Sequence, residues 1–116
     1  MRAEQGDIVL IPLPHTDLST NKRRPVIVIS NEAYHRRTSD AIVVAMTSNP
    51  TTAPYSFIIT DTNLRRGTLN HPGTVRVDRI YNLSQNLIVR IFGRVDEATL
   101  ERVRSAFRDL TTNRAR

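Results

Sequence analysis

Two arginines and an aspartate are the residues most suited to chemistry in this chain. Arg24 stands in the stretch K-R-R-P-V-I-V-I-S over residues 22–30, directly before Pro25 and an unbroken β-branched run. A proline has no N–H for a ladder, so Pro25 belongs at the mouth of a strand, and Arg24 is held where loop becomes core. A guanidinium on a rigid mount suits an anion-handling site; a basic loop tip would show the same residues. Arg76 and Asp78 form the second candidate, in G-T-V-R-V-D-R-I over residues 73–80. Their i, i+2 spacing puts both side chains on one face of a strand, roughly 7 Å apart along the backbone, with Val75 and Val77 on the other face. An aspartate beside an arginine stays ionised, so it accepts hydrogen bonds well but is a weak base. The same pattern fits a solvated strand face with an incidental ion pair.

Thr47 and Ser48 follow the apolar run A-I-V-V-A-M and offer hydroxyls where strand becomes loop. Such a pair can hold a phosphate or a ribose, or can simply satisfy the turn. The three histidines, His15, His35 and His71, have no histidine or carboxylate partner at metal-ligand spacing, so no metal site is expected. His15 sits in a long polar connection near the arginines and could donate a proton. The four glycines are scattered and form no phosphate loop. Three tyrosines and three phenylalanines supply little stacking surface for a single-strand platform.

These residues require strands to position them. Residues 6–12 read as a first strand closed by Pro12 and Pro14, and residues 15–24 as a connection longer than an ordinary hairpin loop. Val26 to Ile29 read as a strand covered on both faces. A short helical turn over residues 30–37 is expected, capped by Ser30 or Asn31. Strands follow at 41–47 and 55–60, separated by a turn over residues 49–54. Residues 61–72 read as a polar, mobile loop, and strands at 73–80 and 86–93 complete five or six. Asp96 caps a helix over residues 97–110, whose Leu100, Val103, Phe107 and Leu110 recur at helical steps and predict one docked face. Asp96 and Glu97 complement its positive N-terminal dipole, with Arg104 and Arg108 toward the other end. The last six residues are expected to fray. Strands without regular alternation with helices, then one helix, predict an α+β, mostly β chain with an antiparallel, curled sheet, forming a single domain over residues 1–116.

Composition narrows the partners. The formal net charge of +6 comes from sixteen arginines and one lysine, Lys22, against eleven acidic residues. That balance favours nucleic acid or an acidic protein partner, and arginine suits bidentate phosphate contacts; a GC-rich genome would produce the same bias. Cysteine is absent, which excludes disulfides and thiolate chemistry. No apolar run reaches the length of a membrane span, and the polar start predicts no signal peptide, so a cytoplasmic protein is expected.

Taken in order, G-D-I-V-L-I-P, K-R-R-P-V-I-V-I-S, A-I-V-V-A-M-T-S, G-T-V-R-V-D-R-I-Y-N-L-S, I-F-G-R-V and the closing amphipathic helix resemble a MazF/PemK-type toxin across nearly the whole chain. The resemblance implies a small SH3-like, partly open barrel of the CcdB/MazF type that forms a homodimer. It implies cleavage of single-stranded RNA without a metal or cofactor, giving a 2′,3′-cyclic phosphate and a 5′-hydroxyl. It also implies a cognate antitoxin whose acidic, disordered tail covers the RNA groove. The family's arginine before proline falls on Arg24, its strand-end threonine on Thr47, and the arginine–x–aspartate pair of the PemK-like branch on Arg76 and Asp78. Lys22, Arg23, Ser48 and His15 are the further candidate RNA contacts. That branch also uses a histidine in the first long loop, and its position falls near Ser19 here rather than on His15. Two other functions suit the same fold: a CcdB-like toxin that acts on DNA gyrase by contact alone, and a non-toxic nucleic-acid-binding barrel.

Overall fold

A computed structural model describes residues 2–12, 23–49 and 52–113. Seven strands form one sheet: β1 (Asp7–Pro12), β2 (Arg23–Val28), β3 (Asp40–Thr47), β4 (Ser56–Ile59), β5 (Leu64–Gly67), β6 (Gly73–Ser84) and β7 (Arg90–Val95). Two helices join them, the short α1 (Glu32–Arg37) and the C-terminal α2 (Glu97–Thr111). The strand order is β4-β6-β3-β2-β1-β7-β5, and every pairing is antiparallel. The sheet curls into a half-barrel whose free edges are β4 and β5.

β2 and β3 form the middle of the sheet because they are apolar on both faces. Val26, Ile27, Val28, Val43 and Val44 are fully buried. Alternation splits them between two cores. Ile27 and Val44 join Ile8, Met46, Val75 and Val77 on the inner face, which Leu100 and Val103 of α2 close. Val26, Val28 and Val43 pack with Val9, Ile11, Leu83 and Ile88 on the other face. Pro25 lies opposite Leu10 of β1, one residue before the β2–β3 pairing begins at Val26. Its missing N–H is therefore not required by β3.

Local capping follows side-chain chemistry. Asn31, not Ser30, caps α1: its Oδ1 accepts from the Tyr34 N–H at 2.9 Å. Ser30 instead accepts from the Ile42 N–H at 2.9 Å and lies 2.7 Å from His35 Nε2. Because the Ser30 oxygen already accepts from backbone, its hydroxyl proton is free to donate to His35, a buried clasp of α1 onto β3. Asp96 caps α2 as expected, accepting from the Thr99 N–H at 2.8 Å.

Four expectations need correction. Residues 61–72 are not a loop throughout: a 3-10 turn over Asp61–Asn63 leads into β5, which pairs with β7. Three hydrogen-bonded residues opposite β7 outweigh the polar composition that suggested mobility. The last strand begins at Arg90 rather than 86 and continues to Val95, because Gln85–Leu87 form a 3-10 turn. The strand starting at Gly73 runs on to Ser84, since its second half pairs with β3. In α2, Leu100 and Val103 are buried, while Phe107 is 39% and Leu110 36% exposed. The helix outruns the sheet beneath it, so periodicity alone does not dock its second half.

Candidate active site

The four candidate residues sit on one face of the sheet, at one end. Val26 of β2 pairs with Ala45 of β3, and Ala45 pairs with Arg76 of β6, which pairs in turn with Ser56 of β4. Paired residues share a face, so this row carries Arg76 on the side of Val26 and Ala45. Two residues toward the strand ends, the next row on that face holds Arg24, Thr47, Thr74 and Ile58; Thr47 pairs with Thr74, and Thr74 with Ile58. Strand spacing puts the Arg24 and Arg76 backbones about 12 Å apart, two strands over and two residues along. An arginine side chain on each is long enough to cover that separation.

Asp78 is positioned by an irregularity. Val44 pairs with Ile80 while Ala45 pairs with Arg76, so Val77, Asp78 and Arg79 bulge out of the β3–β6 ladder. The Val77 N–H goes to the Tyr55 carbonyl instead, at 3.0 Å, and Tyr55 adopts a φ of 59° to present it. Bulges re-aim side chains, and this one leaves Asp78 facing Arg76 in a two-pronged ion pair: Nε to Oδ1 at 3.0 Å and Nη2 to Oδ2 at 2.9 Å. The side chains are 16% and 33% exposed. The hydrogen bond from Arg76 holds the Asp78 carboxyl below its ordinary range against a smaller opposing effect of burial, and the same bond raises Arg76. Both are charged at neutral pH. The ion pair uses one lone pair on each carboxylate oxygen and leaves Nη1 of Arg76 pointing onward, so both groups can still take a ligand.

Thr47 is half-buried and its Oγ1 accepts from the Asn49 N–H at 3.2 Å, so it satisfies the turn and keeps its hydroxyl proton to donate. Ser48 beside it is exposed. Both line a cleft of about 570 Å³ that also touches Pro25, His71, Arg90 and Phe92. Arg24, Arg76 and Asp78 do not line it. Arg23 is exposed at the start of β2, opposite Pro12. His15 and Lys22 lie outside the described residues, as does Ser19. His35 is buried against Ser30 and His71 is exposed by the cleft. Among the described residues no three His, Asp or Glu side chains gather as metal ligands would. Arg66 and Arg90 stand beside the cleft, yet no spacing in the sequence marks them, because β5 meets β7 only through the tertiary fold.

A model of the PemK-like, MazF-like toxins of type II toxin–antitoxin systems matches residues 4–111. No curated protein matches the sequence. Among solved structures, an endoribonuclease in complex with its cognate antitoxin from a mycobacterial species superposes with a TM-score of 0.75, at 21% identity over 98% of this chain and 100% of that one. A MazE–MazF complex from Deinococcus radiodurans superposes with a TM-score of 0.73, at 20% identity over 93% of this chain and 94% of that one. At such identities these likenesses establish the half-barrel fold, whereas the family match spans nearly the whole sequence. The chain belongs to the PemK-like, MazF-like toxins of type II toxin–antitoxin systems.

Proposed function

We propose that this toxin is a metal-independent endoribonuclease that cuts single-stranded RNA, acting as a one-domain protomer of a homodimer in the cytoplasm. The observation that carries the reading is the partly exposed Arg76–Asp78 pair at the β6 bulge, on the same face and at the same sheet end as Arg24 and Thr47. The substrate's 2′-hydroxyl attacks the adjacent phosphorus, so no bound water has to be activated. A carboxylate oxygen of Asp78 accepts the hydroxyl proton as the O–P bond forms and that hydroxyl becomes acidic. Arg24 and Arg76 stabilise the charge growing on the phosphorane oxygens, a role worth a few kcal/mol per donor. Thr47 and Ser48 hold the scissile phosphate or the ribose, and Arg23 attracts the flanking backbone. The 5′-oxygen leaves with a proton from Arg24, Arg76 or water, giving a 2′,3′-cyclic phosphate and a 5′-hydroxyl.

The neighbour solved with its cognate antitoxin supports a protein inhibitor for this chain too. A disordered acidic segment can wrap a basic surface, and a net charge of +6 favours it. The test is cleavage of a long single-stranded RNA in EDTA by wild type, Arg24→Ala and Asp78→Ala, beside DNA of the same sequence. Cyclic-phosphate fragments from wild type alone, with DNA intact, are expected, because the nucleophile belongs to ribose. Cleavage that survives in both variants moves the site elsewhere. No cleavage of several RNAs by folded wild type turns the reading to a CcdB-like binder of gyrase.

A further inference from the structure

Among the described residues, Tyr55 is the one non-glycine with a positive φ, at 59°. It follows Pro54 in the turn that feeds β4, the position of a proline turn where a left-handed backbone favours Gly or Asn. A side chain there brings its Cβ close to the following carbonyl oxygen, so a tyrosine keeps that backbone only where its surroundings over-determine it. The surroundings of Tyr55 do so. Tyr55 packs against the inner-face core, as does Phe57 two residues on. The guanidinium of Arg102, from α2, lies 4.0 Å from the centroid of the Phe57 ring and presses β4 onto that core. Ser56 Oγ donates to the Ala53 carbonyl across the turn itself.

The clamped turn holds the backbone beside the ion pair. Arg76 is paired on both sides, with Ala45 of β3 and Ser56 of β4. Asp78 and Arg79 enter neither ladder, and β6 rejoins β3 only at Ile80. Between the two regimes stands the bond from the Val77 N–H to the Tyr55 carbonyl, at 3.0 Å. That N–H belongs to the peptide that joins Arg76 to Val77, so the bond fixes the backbone on the Arg76 side of the bulge. A fork of two hydrogen bonds, at 3.0 and 2.9 Å, tolerates little change in the direction of either side chain. Its geometry therefore depends on where the Tyr55 carbonyl points.

We infer that Tyr55 is a positioning residue for the Arg76–Asp78 pair: its left-handed backbone, held by its own packed ring, aims the carbonyl that fixes the bulge from which Asp78 faces Arg76. The inference rests on the ribonuclease reading for its effect on rate alone. Three variants lose the ring and differ in the backbone they allow. Tyr55→Gly adopts a positive φ freely, Tyr55→Ala does so at a cost that no ring offsets, and the β-branched Tyr55→Val resists it most. The measurements are single-turnover cleavage of RNA, hydrogen exchange at the Val77 amide, and titration of the Asp78 carboxyl followed by NMR. Tyr55→Gly should cut at close to the wild-type rate and keep Asp78 below its ordinary range, where Arg76 holds it. Tyr55→Val should cut about 100-fold more slowly, as for reacting groups misplaced by about 1 Å. It should also lose protection at Val77 and let Asp78 titrate nearer its ordinary value. Tyr55→Ala should fall between them, and is read against Tyr55→Gly if Tyr55→Val does not fold. A Tyr55→Gly as slow as Tyr55→Ala overturns the inference, because the ring and not the backbone then matters. Slow cleavage by Tyr55→Ala and Tyr55→Val with the Asp78 titration unmoved overturns it too, since the damage is then merely structural. Wild-type rates and titrations in all three variants do the same. If wild type cuts no RNA, a titration that moves in Tyr55→Ala and Tyr55→Val but not in Tyr55→Gly upholds the positioning and sinks the ribonuclease reading alone.

Discussion

Substituting Asp78→Asn separates catalysis from stability. The change keeps the shape of the side chain and removes its charge and proton affinity. Loss of a positioned general base slows a reaction by about 10²- to 10⁴-fold, which is about 2.7 to 5.4 kcal/mol of transition-state stabilisation at 1.36 kcal/mol per tenfold. The stability change should stay below about 1 kcal/mol, because the ion pair with Arg76 is partly open to solvent and screened. The pair also dictates the pH behaviour. Arg76 holds the Asp78 carboxyl below its ordinary range, so Asp78 is ionised throughout the neutral region and its small stabilising effect is lost only in acid, as pH falls through that lowered value. The rate deficit of Asp78→Asn should therefore be the same at about pH 5.5 and at about pH 8. Arg76→Ala should also be slow, and Arg76→Ala/Asp78→Asn no slower than the worse single variant by more than a small factor, as for residues that act as a unit. The assay is single-turnover cleavage of a fluorescent RNA, with urea unfolding of each variant in parallel. Wild-type rates in Asp78→Asn would refute the assignment. A deficit that grows with pH would refute the ionisation argument, and a deficit matched by lost stability would make the pair structural.

Three further outcomes are expected. His35 is 3% exposed and pushed below its ordinary value of 6.5 by burial first, then by Arg2, against smaller opposing effects of Glu32, Asp7 and Glu4. Its protonation favours the unfolded chain, so thermal stability should be full above about pH 6.5 and fall as pH drops below it, with His35→Gln flattening that decline. Gly67→Ala forces a side chain onto a left-handed backbone against the Phe92 carbonyl and should destabilise by about 2 kcal/mol or more in urea titration. Leu100→Ala should cost about 2–5 kcal/mol as a cavity in the inner core, whereas Phe107→Ala should cost under about 1 kcal/mol; equal losses would mean that the second half of α2 is docked after all.

The strand cores and the helix of this protein are legible in its sequence because they depend on short-range chemistry. The β-branched run at Val26–Val28 can bury both faces only in mid-sheet, and Asp96 before an amphipathic segment starts a helix wherever it stands. The i, i+2 spacing of Arg76 and Asp78 likewise dictates a shared face, and the ordered motifs point to the toxin family that the match over residues 4–111 establishes. What brings Arg24, Thr47 and Arg76 to one end of one face is the register of three strands, and no local pattern encodes a register. The bulge at Val77–Arg79 depends on a carbonyl from Tyr55, twenty-two residues earlier. β5 exists because β7 offers it partners, so its polar sequence reads as loop until both are in place. The concentration of Arg2, Arg66, Arg90 and Arg94 on one edge arises the same way: charge along a chain has no direction until strands far apart in sequence are laid side by side.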